Sequence, residues 1–206
     1  MNKLSICVYC GSRPGELPAY TEAARAVGTE IGRRGWQLIY GGGRAGLMGE
    51  VADATLTAGG TVVGVIPESL MGRELGHRGL TELHVVDTMH QRKTMMAERS
   101  DAFLALPGGI GTFEELFESM TWTQLGLQHK PVGLVDVAGF WAPVRALLDG
   151  AVDHGFLDAT VHDAVEMAAD AATVLDRWAA WEPPALGKWA DQDPLLRSVA
   201  DSTDAV

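Results

Sequence analysis

The 206-residue chain carries 16 Lys and Arg against 27 Asp and Glu, a formal net charge of −11, with 47% hydrophobic and 21% charged residues. That composition belongs to a folded globular protein, and an acidic balance without a basic cluster argues against nucleic acid as a partner, because phosphate-backbone binding needs local positive charge. Two cysteines exclude a disulfide scaffold and fit a reducing cytoplasm, no apolar run approaches the roughly 20 residues of a membrane span, and the run from Leu4 to Cys10 is too short for the apolar part of a signal peptide.

In chain order, short apolar runs alternate with longer segments of helical spacing. Leu4–Tyr9, Trp36–Tyr40, Thr61–Ile66, Leu83–Val86, Ala102–Leu106 and Val132–Val137 are apolar at nearly every position and bounded by Gly, Pro or Asp. Strands covered on both faces read this way. Between them, Ala19–Arg34, Leu47–Ala58, Met89–Ser100, Thr112–Leu125 and Trp141–His154 have the helical period. The alternation predicts an α/β fold, a Rossmann-like, doubly wound parallel sheet of six or seven strands with helices on both faces. Residues 1–182 read as one domain, and 183–206 as a polar tail, peripheral or partly disordered. In such sheets ligands bind at the carboxyl ends of the strands, so the strand-to-helix turns are where chemistry is expected.

Three turns and one arginine stand out. Gly41, Gly43 and Gly46 match G-x-G-x-x-G after the second strand. Glycines there let the backbone approach a phosphate at the positive end of a helix. The dinucleotide version belongs on the first turn and wants an acid about 20 residues on; Glu68 is the only tempting partner, so a phosphate site is the stronger reading and a merely tight turn the alternative. The first turn, Cys10-Gly11-Ser12, adds a hydroxyl. Cys7 and Cys10 spell C-x-x-C, but a redox thiolate belongs at a helix N-terminus, and Cys7 sits inside a strand, so inert buried thiols are expected. The fifth turn, Pro107-Gly108-Gly109-Ile110-Gly111-Thr112-Phe113-Glu114-Glu115, is a second anion cradle. Thr112 and Glu115 also fit a helix capping box, which leaves Glu115 with two readings, cap or functional carboxylate. Arg92 falls between Met95 and Met96 in the apolar stripe of its helix. A charge there is costly unless paired, so Arg92 is either a structural ion pair or snorkelling side chain, or it reaches a ligand at the strand ends.

Met89-His90-Gln91-Arg92-Lys93, Ser100-Asp101-Ala102-Phe103 and the run Pro107 to Glu115 together resemble the Lonely Guy family, the cytokinin riboside 5′-monophosphate phosphoribohydrolases, some once labelled lysine decarboxylases. The resemblance continues through Cys10-Gly11-Ser12, Gly41-Gly42-Gly43, Gly64-Val65-Ile66-Pro67, Thr121-Trp122-Thr123-Gln124-Leu125-Gly126 and Lys130-Pro131-Val132-Gly133-Leu134, over about residues 4–157. No motif position is broken, although Ile110 stands where an aromatic is common. The resemblance implies Arg92 and Glu115 as catalytic residues. It implies nucleotide contacts at Glu74, Arg92, Lys93, Gly109, Ile110, Gly111, Thr112, Phe113, Glu114, Glu115 and Thr121. It implies no cofactor and no metal, a nucleoside 5′-monophosphate substrate cleaved to free base and ribose 5-phosphate, and a homodimer. Trp122, off the apolar face of its helix, suits a ligand wall or a subunit contact.

N-glycosidic hydrolysis develops positive charge on the ribose and needs an activated water; one carboxylate can serve both needs. Two rivals are weighed. A pyridoxal-phosphate decarboxylase needs a Schiff-base lysine, and only Lys3, Lys93, Lys130 and Lys188 are present. A noncatalytic nucleotide- or cofactor-binding module, resembling molybdenum-cofactor carriers, needs the cradles but neither Arg92 nor Glu115.

Overall fold

The computed structural model describes residues 3–72, 76–179 and 181. Seven strands, β1 (Ser5–Tyr9), β2 (Gln37–Tyr40), β3 (Thr61–Pro67), β4 (Glu82–Val86), β5 (Ala102–Ala105), β6 (Val132–Val135) and β7 (Val165–Ala168), form one sheet in the order β4-β3-β2-β1-β5-β6-β7. Every pairing is parallel, with Ile6 opposite both Leu38 and Ala102. This is the doubly wound sheet anticipated from the β-α alternation.

The period-2 alternation of each strand divides its side chains between two cores. Ile6, Val8, Leu38 and Leu104 point to one side, where they meet α1 (Pro18–Arg33), α2 (Gly46–Thr57) and α8 (Ala171–Trp178). Cys7, Ile39, Val63 and Phe103 point to the other, packed by α4 (Met89–Glu98), α5 (Ile110–Gln124) and α6 (Ala142–Asp153). Two short helices, α3 (Glu68–Met71) and α7 (Ala159–Asp163), complete the described elements.

The helix boundaries sit within one or two residues of expectation, with one consequential difference. Helix α5 starts at Ile110, not Thr112, because Gly109 already occupies the N-cap position with extended backbone. Thr112 and Glu115 are therefore the third and sixth helical residues, so Glu115 lies too deep in the helix to cap it. The capping-box reading is corrected accordingly. The α7–β7–α8 segment was not anticipated. β7 is a four-residue edge strand that carries Glu166, and so lacks the continuous apolar signature of the central strands. The polar tail expected over 183–206 lies outside the described residues. Among the described residues no helix is long and apolar enough to cross a membrane.

The chain winds one way from β1 to β4 and then crosses to β5 on the far side of β1. That reversal opens a crevice at the carboxyl ends of β1 and β5, the place where ligands settle in this architecture.

Candidate active site

Three turns meet at that crevice and hold one another by backbone bonds. The Gly11 N–H donates to the Pro107 carbonyl at 3.1 Å, the Leu47 N–H donates to the Gly11 carbonyl at 3.0 Å, and the Leu106 N–H donates to the Tyr9 carbonyl at 2.9 Å. Gly46, at φ +58, lies so close that a Cβ there would stand 2.4 Å from the backbone of Ser12 and Arg13. The glycines of the first two turns thus serve first to lock the rim.

The turns enclose a cleft of about 200 Å³ lined by Val8, Tyr9, Cys10, Ser12, Gly41, Met48, Met89, Arg92, Met96, Gly109, Ile110, Gly111, Thr112, Glu114 and Glu115. One wall is the N-terminus of α5, where unpaired N–H groups and the helix dipole favour an anion. Around Gly109 and Gly111 the space that a side chain would fill is open.

Arg92 is delivered by α4, whose start is fixed by the Thr88 hydroxyl accepting from the Gln91 N–H at 3.1 Å. The side chain is 8% exposed. Its Nε donates to the Val65 carbonyl at 3.2 Å and its Nη2 to the Gly41 carbonyl at 3.4 Å. A Cβ on residue 41 would lie 1.9 Å from Nη2, so glycine at this position is what lets the guanidinium in. Nη1 stands 3.9 Å from Oε1 of Glu115, whose side chain is 11% exposed. Neither the stripe position nor the charge of Arg92 is a packing accident: two carbonyls and a carboxylate offset its desolvation.

Glu115 comes from the inward face of α5. Beneath it the Tyr9 phenol and the Ser119 hydroxyl bond at 3.0 Å, and Ser119 also donates to the Glu115 carbonyl at 2.9 Å. Burial, and after it the Glu115 charge, pushes the Cys7 thiol up to about 12 and raises Cys10 as well. Both thiols stay protonated, as inert core residues do.

Of the residues implied by the resemblance, the structure brings Arg92, Gly109, Ile110, Gly111, Thr112, Glu114 and Glu115 around this one cleft. Lys93 does not line it. Its ammonium bonds Glu114 at 2.5 Å and Glu118 at 2.9 Å; burial would lower its pKa, but these two carboxylates hold it above the usual lysine value. Phe113 turns away to pack against Phe140 and Trp141. Thr121 is exposed and donates to the Phe117 carbonyl at 2.7 Å, and Trp122 is half-buried, both outside the cleft lining. Glu74 lies outside the described residues. Glu68, the dinucleotide candidate, opens α3 and does not line the cleft.

Sequence reasoning missed Met48, Met89 and Met96 as cleft residues. Met89 and Met96 each left a signal, lying three residues before and four residues after Arg92 and so on the same helix face. Among the described lysines none lines the cleft; the Lys130 ammonium donates to the Ala97 carbonyl at 2.7 Å instead. Among the described residues no group of three His, Cys, Asp or Glu is placed to hold a metal ion.

A family profile described as "Possible lysine decarboxylase" matches residues 48–178. A cytokinin riboside 5′-monophosphate phosphoribohydrolase of Rhodococcoides fascians is 48% identical over 167 residues, covering 81% of this chain and 84% of that one. A second, from Arabidopsis thaliana, is 46% identical over 178 residues, covering 86% and 82%. The chain belongs to the Lonely Guy family. Among solved structures, the molybdenum cofactor binding protein of Rippkaea orientalis superposes on 87% of the chain with a TM-score of 0.66 at 20% identity. The molybdenum cofactor carrier protein of Chlamydomonas reinhardtii does so with a TM-score of 0.66 at 24% identity. At such identities these neighbours establish that the Lonely Guy chain shares their fold.

Proposed function

We propose that the protein hydrolyses the N-glycosidic bond of adenosine 5′-monophosphates, including N6-modified ones, to the free base and ribose 5-phosphate. The observation that carries this reading is the buried Arg92–Glu115 pair, 3.9 Å apart, on the floor of a cleft whose wall is a helix N-terminus built for an anion.

In this reading the N–H groups at Gly109 to Thr112 take the 5′-phosphate and spend its binding energy on placing the ribose over Glu115. The C1′–N bond breaks as positive charge develops on the sugar, and the Glu115 carboxylate faces that charge. The same carboxylate takes a proton from the water that adds to C1′, while the base departs with its electron pair and takes a proton from solvent. Arg92, held by the Val65 and Gly41 carbonyls, fixes the carboxylate from one side. Met48, Met89 and Met96 offer the polarizable, adaptable surface on which a purine settles.

The reading extends to a cytoplasmic homodimer. Thr121, expected as a nucleotide contact, lies outside its own cleft, and Leu125 and Leu127 nearby are 64% and 70% exposed. A partner covering this end of α5 would bury the leucines and bring Thr121 towards the other subunit's ligand. Light scattering at micromolar concentration should return twice the chain mass; the mass of one chain would contradict the dimer.

The carrier-like fold neighbours support a second reading, a binding module without turnover. Arg92 and Glu115 weigh against it, since a carrier has no use for a desolvated ion pair facing its ligand. The decarboxylase reading finds no lysine in the cleft among the described residues. Incubation with AMP and N6-isopentenyl-AMP, with ribose 5-phosphate as the measured product, decides: product supports the hydrolase, while tight nucleotide binding without product supports the carrier.

A further inference from the structure

Helices α4 and α5 rest on different strands, α4 on β3 and β4, α5 on β1 and β5. They are tied by two adjacent side-chain links. Arg92–Glu115 faces the cleft. One residue on in α4 and one residue back in α5, Lys93 meets Glu114 at 2.5 Å, and it meets Glu118 at 2.9 Å.

Glu114 is the awkward member. It lines the cleft together with Gly109, Ile110, Gly111 and Thr112, and so stands beside the site an anion would occupy. A free carboxylate there would oppose a dianionic phosphate. Glu118, one turn further along, adds a like charge at i,i+4. The Lys93 ammonium sits between the two, with its side chain 14% exposed against 49% for Glu114, and bonds both.

Resting on the phosphoribohydrolase reading, we infer that Lys93 is a positioning residue that neutralises Glu114 and holds its carboxylate out of the phosphate site, rather than a ligand of the nucleotide. The lysine contributes to phosphate binding by removing a repulsion. Lysine suits the task, because its compact ammonium can bond two carboxylates at once.

The two roles separate in a double variant. Lys93→Met should weaken AMP binding, read as the calorimetric Kd and as KM, by roughly tenfold, with kcat reduced far less. The loss should shrink between about 0.05 and about 0.5 M salt, as a screened repulsion does. Adding Glu114→Gln to Lys93→Met removes the repelling carboxylate and should restore Kd and KM to within about threefold of wild type. Glu114→Gln alone should melt within a few degrees of wild type, which shows that the fold tolerates the change. If Lys93 touches the phosphate itself, the double variant stays as weak as Lys93→Met, and the inference is overturned while wild-type turnover of AMP leaves the function standing. A wild-type protein that neither binds nor cleaves AMP removes the function and this inference with it.

Discussion

Two ion pairs link the same two helices through neighbouring residues, yet they are built to opposite specifications. The outer pair is short, 2.5 Å from Lys93 to Glu114 and 2.9 Å to Glu118, and partly open to water. The inner pair is long, 3.9 Å from Arg92 to Glu115, and nearly sealed. A pair selected for stability alone would close the inner gap or replace both charges with packed apolar groups, which is often neutral or better. The inner arginine is instead satisfied by the Val65 and Gly41 carbonyls, while Glu115 lines the cleft beside it. The outer pair carries the mechanical tie, and in the proposed reaction the inner one supplies the chemistry.

Breaking the inner pair from the arginine side should have the largest effect. Arg92→Leu leaves two buried carbonyls and a carboxylate without their cation, so it should cost about 3 kcal/mol in urea unfolding and at least about 10²-fold in kcat for ribose 5-phosphate release. Gly41→Ala probes the same group without altering a charge. Its methyl would lie 1.9 Å from the guanidinium, so Arg92 must move, and kcat should fall roughly tenfold or more with a stability loss of about 1–3 kcal/mol. Loss of stability without loss of kcat would mean that the guanidinium position is irrelevant to turnover. At the outer pair, Glu118→Gln should change kcat by less than about twofold and stability by at most about 1 kcal/mol, since Lys93 keeps Glu114.

The strand beneath both pairs offers the gentlest test. Cys7 is raised to about 12 and Cys10 is raised too, chiefly by burial. The thiols of the unfolded chain ionise near pH 8.5 while those of the folded chain remain protonated. Their contribution to stability is therefore complete below about pH 8.5 and declines as pH rises from there towards the folded value. Urea midpoints should fall over that range, and a thiol reagent at pH 8 should label the cysteines only after unfolding.

The central part of this design is legible in the residues. Strands buried on both faces show as continuous apolar runs, so β1, β2, β3, β5 and β6 follow from local pattern, and the edge strand β4 shows by its apolar run from Leu83 to Val86. Arg92 shows as a charge between two methionines, and the glycine turns show by composition. Other features depend on partners distant in sequence. Nothing near Lys93 indicates that its ammonium crosses to Glu114 and Glu118, because spacing within α4 says nothing about the register of α5 beside it. Met48 carries the same signature as any core methionine. The Thr112-x-x-Glu115 spacing imitates a cap, and only the extended backbone at Gly109, which starts the helix two residues earlier, removes that reading. The edge strand β7 escaped because four residues interrupted by Glu166 fall below what periodicity can resolve.

Single-turnover release of ribose 5-phosphate from AMP by Glu115→Gln, beside wild type and with binding and melting measured on the same samples, tests the central claim most directly. Glutamine keeps the size and hydrogen-bonding capacity of the side chain but can neither take a proton from water nor face a cation with charge. The expected result is a variant that melts within a few degrees of wild type, binds AMP, and releases ribose 5-phosphate about 10²–10⁴-fold more slowly. A variant retaining more than about a tenth of the wild-type rate would contradict the assignment of Glu115 as the group that activates water.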